Sequence, residues 1–455
     1  FLLEVPQKTR HRKVKMAALH FDKEKIAERF IRYARVFTQS KEGIADTPST
    51  QCQWDLARLL KKELEEMGAS DVVLDEEKCY VYATIPGNIP ADERKLSTRD
   101  DRKKKRRENS APILGLVAHM DTSDAVDASA HPKIHPRKIE NYDGGTIVLN
   151  EEKNLSMSPS EYPELAGKRG KTLIVTDGTT VLGGDDKAGV AQIMEAAQFL
   201  LQHKEIAHGT VRIMFTPDEE VGNGTRNVNM DEFAVDYGYT VDGGGIGELE
   251  YENFNAASAH LTIQGLSTHP GSAKGKMRNA LLVAMEYNAL LPADEIPAKT
   301  EGYEGFYHLE EMHGTADAAE MDYIIRDHDR TKFEHRKEVI LEAVQKINDR
   351  YGANVMTAEV SDSYYNMEEK IRPHMHLIEN AKAAMREIGV EPVVSPIRGG
   401  TDGAVMSFRG IPCPNLFTGS YNFHSRYEYV VAEEMALGAE TLIRILNKYA
   451  GYELD

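Results

Sequence analysis

Several common protein classes are excluded by what the chain lacks. It has three cysteines in 455 residues, Cys52, Cys79 and Cys413. So few, odd in number and widely spaced, they build neither a disulfide framework nor a cysteine-rich zinc site, and they fit a reducing, cytoplasmic compartment. Any metal is therefore expected on histidine and carboxylate. No apolar run approaches the roughly 20 residues a membrane-crossing helix needs. Positive charge is in deficit, 55 Lys and Arg against 73 Asp and Glu, for a formal net charge of -18. That disfavours nucleic acid or an anionic membrane as partner, because the phosphate interaction that dominates such binding becomes repulsive. A G-x-S-x-G nucleophile elbow is missing and Cys52 falls on an expected helix, so covalent hydrolase chemistry has no nucleophile.

What is present suits a globular enzyme: 41% hydrophobic and 28% charged residues, in a chain long enough for two domains. The basic stretch at 8–15 reads as an ill-defined leader or upstream translation rather than a mitochondrial-type leader, with folded sequence from about Phe21. Apolar residues at helical spacing predict a helix over 22–37 with Asp22 as N-cap, and a second running from Ser49 or Thr50 to Met67 and stopping at Gly68. The segment 91–110, containing Arg102-Lys103-Lys104-Lys105-Arg106-Arg107, reads as a surface insertion. Buried strands at 113–118, 172–175, 211–215 and 239–241, with a helix at 187–203, describe an α/β domain with a mostly parallel sheet. The texture from 255 to 362 suggests an inserted α+β domain, after which residues 363–455 return to the first.

Apolar strands ending in acids or histidine recur. In an open α/β sheet, ligands bind beyond the carboxyl ends of the strands, so His119, Asp121, Glu219, Glu220 and Asp242 are delivered to one rim. His119 and Asp121, two apart, share a face. His119 reads as a metal ligand and Asp121 as the carboxylate that orients its imidazole. Asp185, at the Gly183-Gly184 turn into a helix, is the candidate for a carboxylate shared by two metals, and Asp186 reads as the helix cap. Glu219 and Glu220, taken as extended, point opposite ways, so that one coordinates metal and the other faces the substrate water. The run Gly243-Gly244-Gly245-Ile246-Gly247 mimics a dinucleotide fingerprint, but strand rather than helix is expected after it. His424, one of 16 histidines, gains weight only from the others.

His119-Met120-Asp121, Gly184-Asp185-Asp186-Lys187-Ala188-Gly189, Pro217-Asp218-Glu219-Glu220, Thr240-Val241-Asp242-Gly243-Gly244 and the 397–403 segment resemble, in the same order, the tripeptide aminopeptidase branch of the dinuclear zinc M20 metallopeptidases. The resemblance runs from about Asp22 to Leu446. It implies a catalytic domain with an inserted lid and dimerisation domain, and two zinc ions per chain, replaceable by cobalt or manganese. By the same resemblance His119 and Asp242 hold one ion, Glu220 and His424 the other, and Asp185 bridges. Glu219 is then the base, Arg398 meets the terminal carboxylate of a small peptide, and His269 reaches the scissile carbonyl from the second subunit of a homodimer. The extension at 1–20, the basic insertion and the His424-Ser425-Arg426-Tyr427-Glu428 segment depart from the family pattern. The rival readings are another M20-type amide hydrolase, namely a dipeptidase, acylase or carboxypeptidase, and a catalytically silent binding homologue. The intact metal set argues against the second.

Overall fold

A computed structural model describes residues 19–89 and 111–451; most of the expected extension and the basic insertion lie outside the described residues. The chain divides into two compact units. Unit 1 comprises residues 1–250, 370–394 and 405–455, and unit 2 comprises 251–369 and 395–404. Among the described residues no helix is long and apolar enough to cross a membrane.

Unit 1 opens with α1 (Lys23–Ala34), started by Asp22, whose side chain accepts the Glu24 amide, and buried along Ile26, Phe30, Tyr33 and Ala34. Helix α2 (Gln53–Met67) stops at Gly68, whose φ of 86° suits a residue without Cβ. Strands β1 (Ser70–Leu74), β2 (Val81–Ile85), β3 (Leu114–His119), β4 (Arg137–Ile139), β5 (Ile147–Asn150), β6 (Leu155–Met157) and β7 (Leu173–Val175) follow. Next come α3 (Gly184–Gln202), β8 (Val211–Thr216), α4 (Met230–Phe233), β9 (Tyr237–Gly243) and β10 (Glu248–Glu250).

Unit 2 is built from β11 (Asn255–Gln264), α5 (Ala280–Asn288), β12 (Phe306–Gly314), β13 (Ala318–Asp327), α6 (Arg330–Tyr351) and β14 (Met356–Tyr364). Its strands form one antiparallel sheet in the order β12-β13-β11-β14. Alternate residues such as Ala259, Leu261 and Ile263 pack with Val283 and Tyr287 of α5 and Ile340 and Ile347 of α6, so helices cover one face of the sheet, as in an α+β domain.

The chain continues through α7 (Glu368–Ile371), α8 (His376–Glu387), β15 (Val393–Val394), α9 (Asp402–Phe408), β16 (Asn415–Phe417), β17 (Ser420–Tyr421), β18 (Tyr429–Val431) and α10 (Ala432–Tyr449). The large sheet of unit 1 runs β1-β2-β8-β3-β9-β16-β10-β15, parallel through its centre, β8-β3-β9-β16. Helix α3 lies against β3 and β9 and is flanked by α1 and α10, which explains why it is buried nearly all round. The strand expected at 172–175 exists as β7, but it belongs to a small antiparallel sheet, β17-β18-β7-β4. A short buried apolar run looks the same in either setting.

Gly189 sets how closely α3 approaches the sheet. A Cβ there would lie 1.7 Å from the carbonyl oxygen of Val241, the residue before Asp242. Gly189→Ala is therefore expected to push helix and strand apart and to cost on the order of 3 kcal/mol, the upper end of ordinary overpacking. Urea unfolding reads this directly, and an unchanged midpoint would refute the close approach.

Candidate active site

Three strand ends and two turns converge. His119 ends β3, and the β3–β9 register, in which Val117 faces Thr240, brings Asp242 to the same level two residues further on. Asp185 opens α3 in non-helical conformation. Glu219 and Glu220 follow β8, and His424 lies between β17 and β18 with φ of 54°.

The imidazole of His119 is buried and engaged at both ends. Its Nε2 lies 2.8 Å from Asp185 Oδ1 and 3.5 Å from Asp242 Oδ1. Its Nδ1 lies 3.1 Å from the backbone oxygen of Asp121 and 3.3 Å from Oδ1 of the same residue. The Asp121 carboxylate also accepts the amides of Glu219 at 3.0 Å and Glu220 at 3.2 Å, so one buried group aligns the histidine and the acidic turn together. On the other side, His424 Nε2 is 2.7 Å from Glu220 Oε2 and 3.2 Å from Asp185 Oδ2. Asp186 behaves as the expected cap, accepting the Gly189 amide at 3.2 Å, and its second oxygen accepts the His119 amide at 3.2 Å.

Glu219 and Glu220 are not extended. Asp218, at φ of 56°, leads into a 3-10 turn over Glu219–Val221. Its carboxylate is anchored to the start of α2 by Ser49 and Gln53. On this turn neither glutamate is forced away from the cluster. Ligand atoms of His119, Asp185 and Glu220 lie within 4.8 Å of one another, and so do those of His119, Glu219 and Asp242.

The charges show what the cluster calls for. Burial works to raise the Asp185 carboxyl, but hydrogen bonds from His119 and His424 outweigh it and hold it well below the usual range. Burial, and then the charge of Asp185, push Glu220 up to about 7. Hydrogen bonds to Asp185 and Glu220 push His424 up to about 11. The imidazoles are drawn to their cationic forms because acids outnumber them, and divalent metal ions satisfy the same demand. Histidine and carboxylate donors of this kind suit zinc and neighbouring transition metals.

Sequence reasoning missed Glu428. Only 1% exposed, it accepts the amides of Leu182 and Gly183 at 2.8 Å and of Asp185 at 2.9 Å. It thus holds the glycine turn that presents Asp185. Burial pushes its carboxyl up to about 7. No local pattern around 428 carries this signal, since only the fold brings it against 182–185. Glu428→Ala leaves buried amides without an acceptor, each worth about 1–3 kcal/mol, and is expected to cost about 3 kcal/mol or more in chemical denaturation. Glu428→Gln, which keeps a carbonyl oxygen, recovers part of that loss.

Arg398 and His269 belong to unit 2. The Arg398 guanidinium donates to the carbonyls of Gly302 at 2.7 Å and Glu304 at 3.0 Å and to the Thr300 hydroxyl at 3.1 Å. It also lies 5.0 Å from the ring of Phe254. His269 is exposed, and its Nδ1 accepts the Gly271 amide at 3.2 Å.

Comparison with known proteins places the chain in a family. Residues 183–448 match the model of peptidase family M20/M25/M40. Peptidase T of Alkaliphilus oremlandii is 46% identical over 425 residues, 93% of this chain and 99% of that one. Peptidase T of Geobacillus kaustophilus is 48% identical over 427 residues, 94% and 98% of the two chains. The crystal structure of aminopeptidase PepT from Bacillus cereus shares the fold, with a TM-score of 0.71 and 24% identity over 94% of this chain and 99% of that one. Matching that family over more than half its length, and nearly half identical to such relatives almost end to end, the chain belongs to peptidase family M20/M25/M40.

Proposed function

We propose that the protein is a cytoplasmic, metal-dependent aminopeptidase that releases the N-terminal residue of tripeptides, using two zinc ions for which cobalt or manganese can substitute. His119 and Asp242 hold one ion, Glu220 and His424 the other, and Asp185 bridges. The observation that carries this reading is the placement of Asp185, whose Oδ1 faces His119 and whose Oδ2 faces His424. A carboxylate aimed two ways at once is the arrangement a bridging ligand requires.

When bound there, the metal ions would lower the pKa of a water toward neutrality and polarise the substrate carbonyl. Glu219 takes the proton of the attacking water and returns it to the amine of the departing fragment. Asp121 holds Nδ1 of His119, fixing the tautomer that leaves Nε2 free to coordinate. Arg398 pairs with the terminal carboxylate of the peptide, and His269 of a second subunit reaches the scissile carbonyl, which makes the working form a homodimer. In this reading residues 1–254 and 363–455 are the catalytic domain and 255–362 the lid and dimerisation domain, a division that differs from the two compact units at 251–254, 363–369 and 395–404, the last of which carries Arg398.

The test is hydrolysis by the zinc-loaded protein of free tripeptides, N-acetylated tripeptides, dipeptides and N-acylated amino acids. Free tripeptides are expected to be cleaved, blocked ones spared, and all activity lost on chelation. Preference for N-acylated amino acids or dipeptides would replace the tripeptide reading with another M20-type amide hydrolase.

A further inference from the structure

We propose that Tyr421 is a positioning residue that ties the glycine loop after Asp242 to the segment carrying His424; the inference rests on the ligand assignments above. The Tyr421 hydroxyl accepts the Ile246 amide at 3.1 Å and donates to Glu434 Oε2 at 2.7 Å. Lys168 Nζ donates to that hydroxyl at 2.5 Å and to Glu434 Oε1 at 2.7 Å. Lys168 and Glu434 are 8% and 4% exposed, so the pair is held away from water and pins the phenol by both its donor and its acceptor sides. Its proton goes to Glu434, which leaves its lone pairs for Lys168 and Ile246.

The ring is fixed as well. It stacks on Tyr429 with centroids 4.9 Å apart and an interplanar angle of 11°. The loop lies directly upon it, since a Cβ on Gly245 would come within 2.9 Å of a ring carbon. One hydroxyl therefore links position 246, four residues after Asp242, to β17, which ends three residues before His424. By the assignments above those two ligands serve different ions, so Tyr421 sets the spacing between the two halves of the site. Nothing in the phenol's own chemistry is consumed, and its role is geometric.

Tyr421→Phe keeps the ring, its stack and the Lys168–Glu434 pair and removes only the hydroxyl. Zinc binding by metal-stripped full-length protein, measured against a competing chelator, is expected to weaken about 10- to 100-fold for at least one equivalent, the usual effect of losing a supporting group. Amide exchange across 243–247 should quicken, and kcat should fall while KM for a free tripeptide stays unchanged. Tyr429→Phe is the control. It deletes a neighbouring hydroxyl that has no hydrogen-bond partner among the described residues, and should leave all three readouts unchanged. Wild-type zinc affinity in Tyr421→Phe overturns the proposal even if the variant melts earlier, because only a structural role would then remain. Should Tyr421→Phe not fold, Glu434→Gln, which weakens the anchor of the same hydroxyl, is judged by the same zinc measurement. A wild-type protein that binds no zinc overturns the ligand assignments and this inference with them. Wild type binding two equivalents beside an unaffected variant overturns this inference alone.

Discussion

Glu219→Gln is expected to reduce kcat on free tripeptides by about 10²- to 10⁴-fold, the usual contribution of a general acid–base group, while zinc content stays at two per chain. The substitution keeps volume and hydrogen-bonding reach but removes the group that takes up a proton. The backbone of the acidic turn does not depend on this side chain, because the Glu219 and Glu220 amides are held by Asp121 and Asp218 is held by Ser49 and Gln53. The turn should therefore survive, and Glu220 with it. The experiment also separates two roles. A Glu219 oxygen lies within 4.8 Å of ligand atoms of both His119 and Asp242, close enough for coordination. Zinc analysis after exhaustive dialysis distinguishes the cases: two equivalents with turnover collapsed assign Glu219 to proton transfer, and one equivalent makes it a ligand. Near-wild-type turnover would remove it from the mechanism.

The parts of this molecule readable from sequence are those governed by local physics. Helix α2 (Gln53–Met67) ends as expected at Gly68, because its apolar positions recur at helical spacing and a residue without Cβ accepts the left-handed turn that stops it. Asp22 marks a helix start for the same kind of reason. The rim position of His119 and Asp242 is legible because each ends an apolar strand, and parallel strands must deliver such ends to one side. What could not be read depends on long-range partners. Strand β7 has the composition of a central strand yet pairs with β18 and β4, and three buried residues do not encode a sheet. The 3-10 turn at Glu219 depends on Asp218 adopting a left-handed conformation and on partners some 165 residues away on α2. Glu428 lies 243 residues from the Asp185 amide it accepts, and Arg398 meets carbonyls nearly 100 residues distant. No window of sequence contains both ends of such contacts.

Asp185→Asn is expected to have the larger effect on the metals themselves. An amide offers one carbonyl oxygen, and its NH₂ group is a donor that cannot coordinate, so it can face His119 or His424 as Asp185 now does but cannot serve both sides. It also removes a negative charge from between two cations, where the remaining ligands, Asp242 on one side and Glu220 on the other, cannot replace it. The variant should lose at least one zinc equivalent on dialysis. Its turnover on free tripeptides should fall by more than the roughly 10- to 100-fold that removal of a supporting group costs, and added zinc should not restore it. Asp242→Asn and His424→Ala provide the contrast, since each disables one side and leaves the bridge in place. Those two should each retain one tightly held ion, whereas Asp185→Asn should weaken both. Metal analysis by mass spectrometry, with a tripeptide assay on the same samples, separates the three. Two ions retained in Asp185→Asn with turnover near wild type would mean that Asp185 does not bridge, and would break the argument from its two-sided placement.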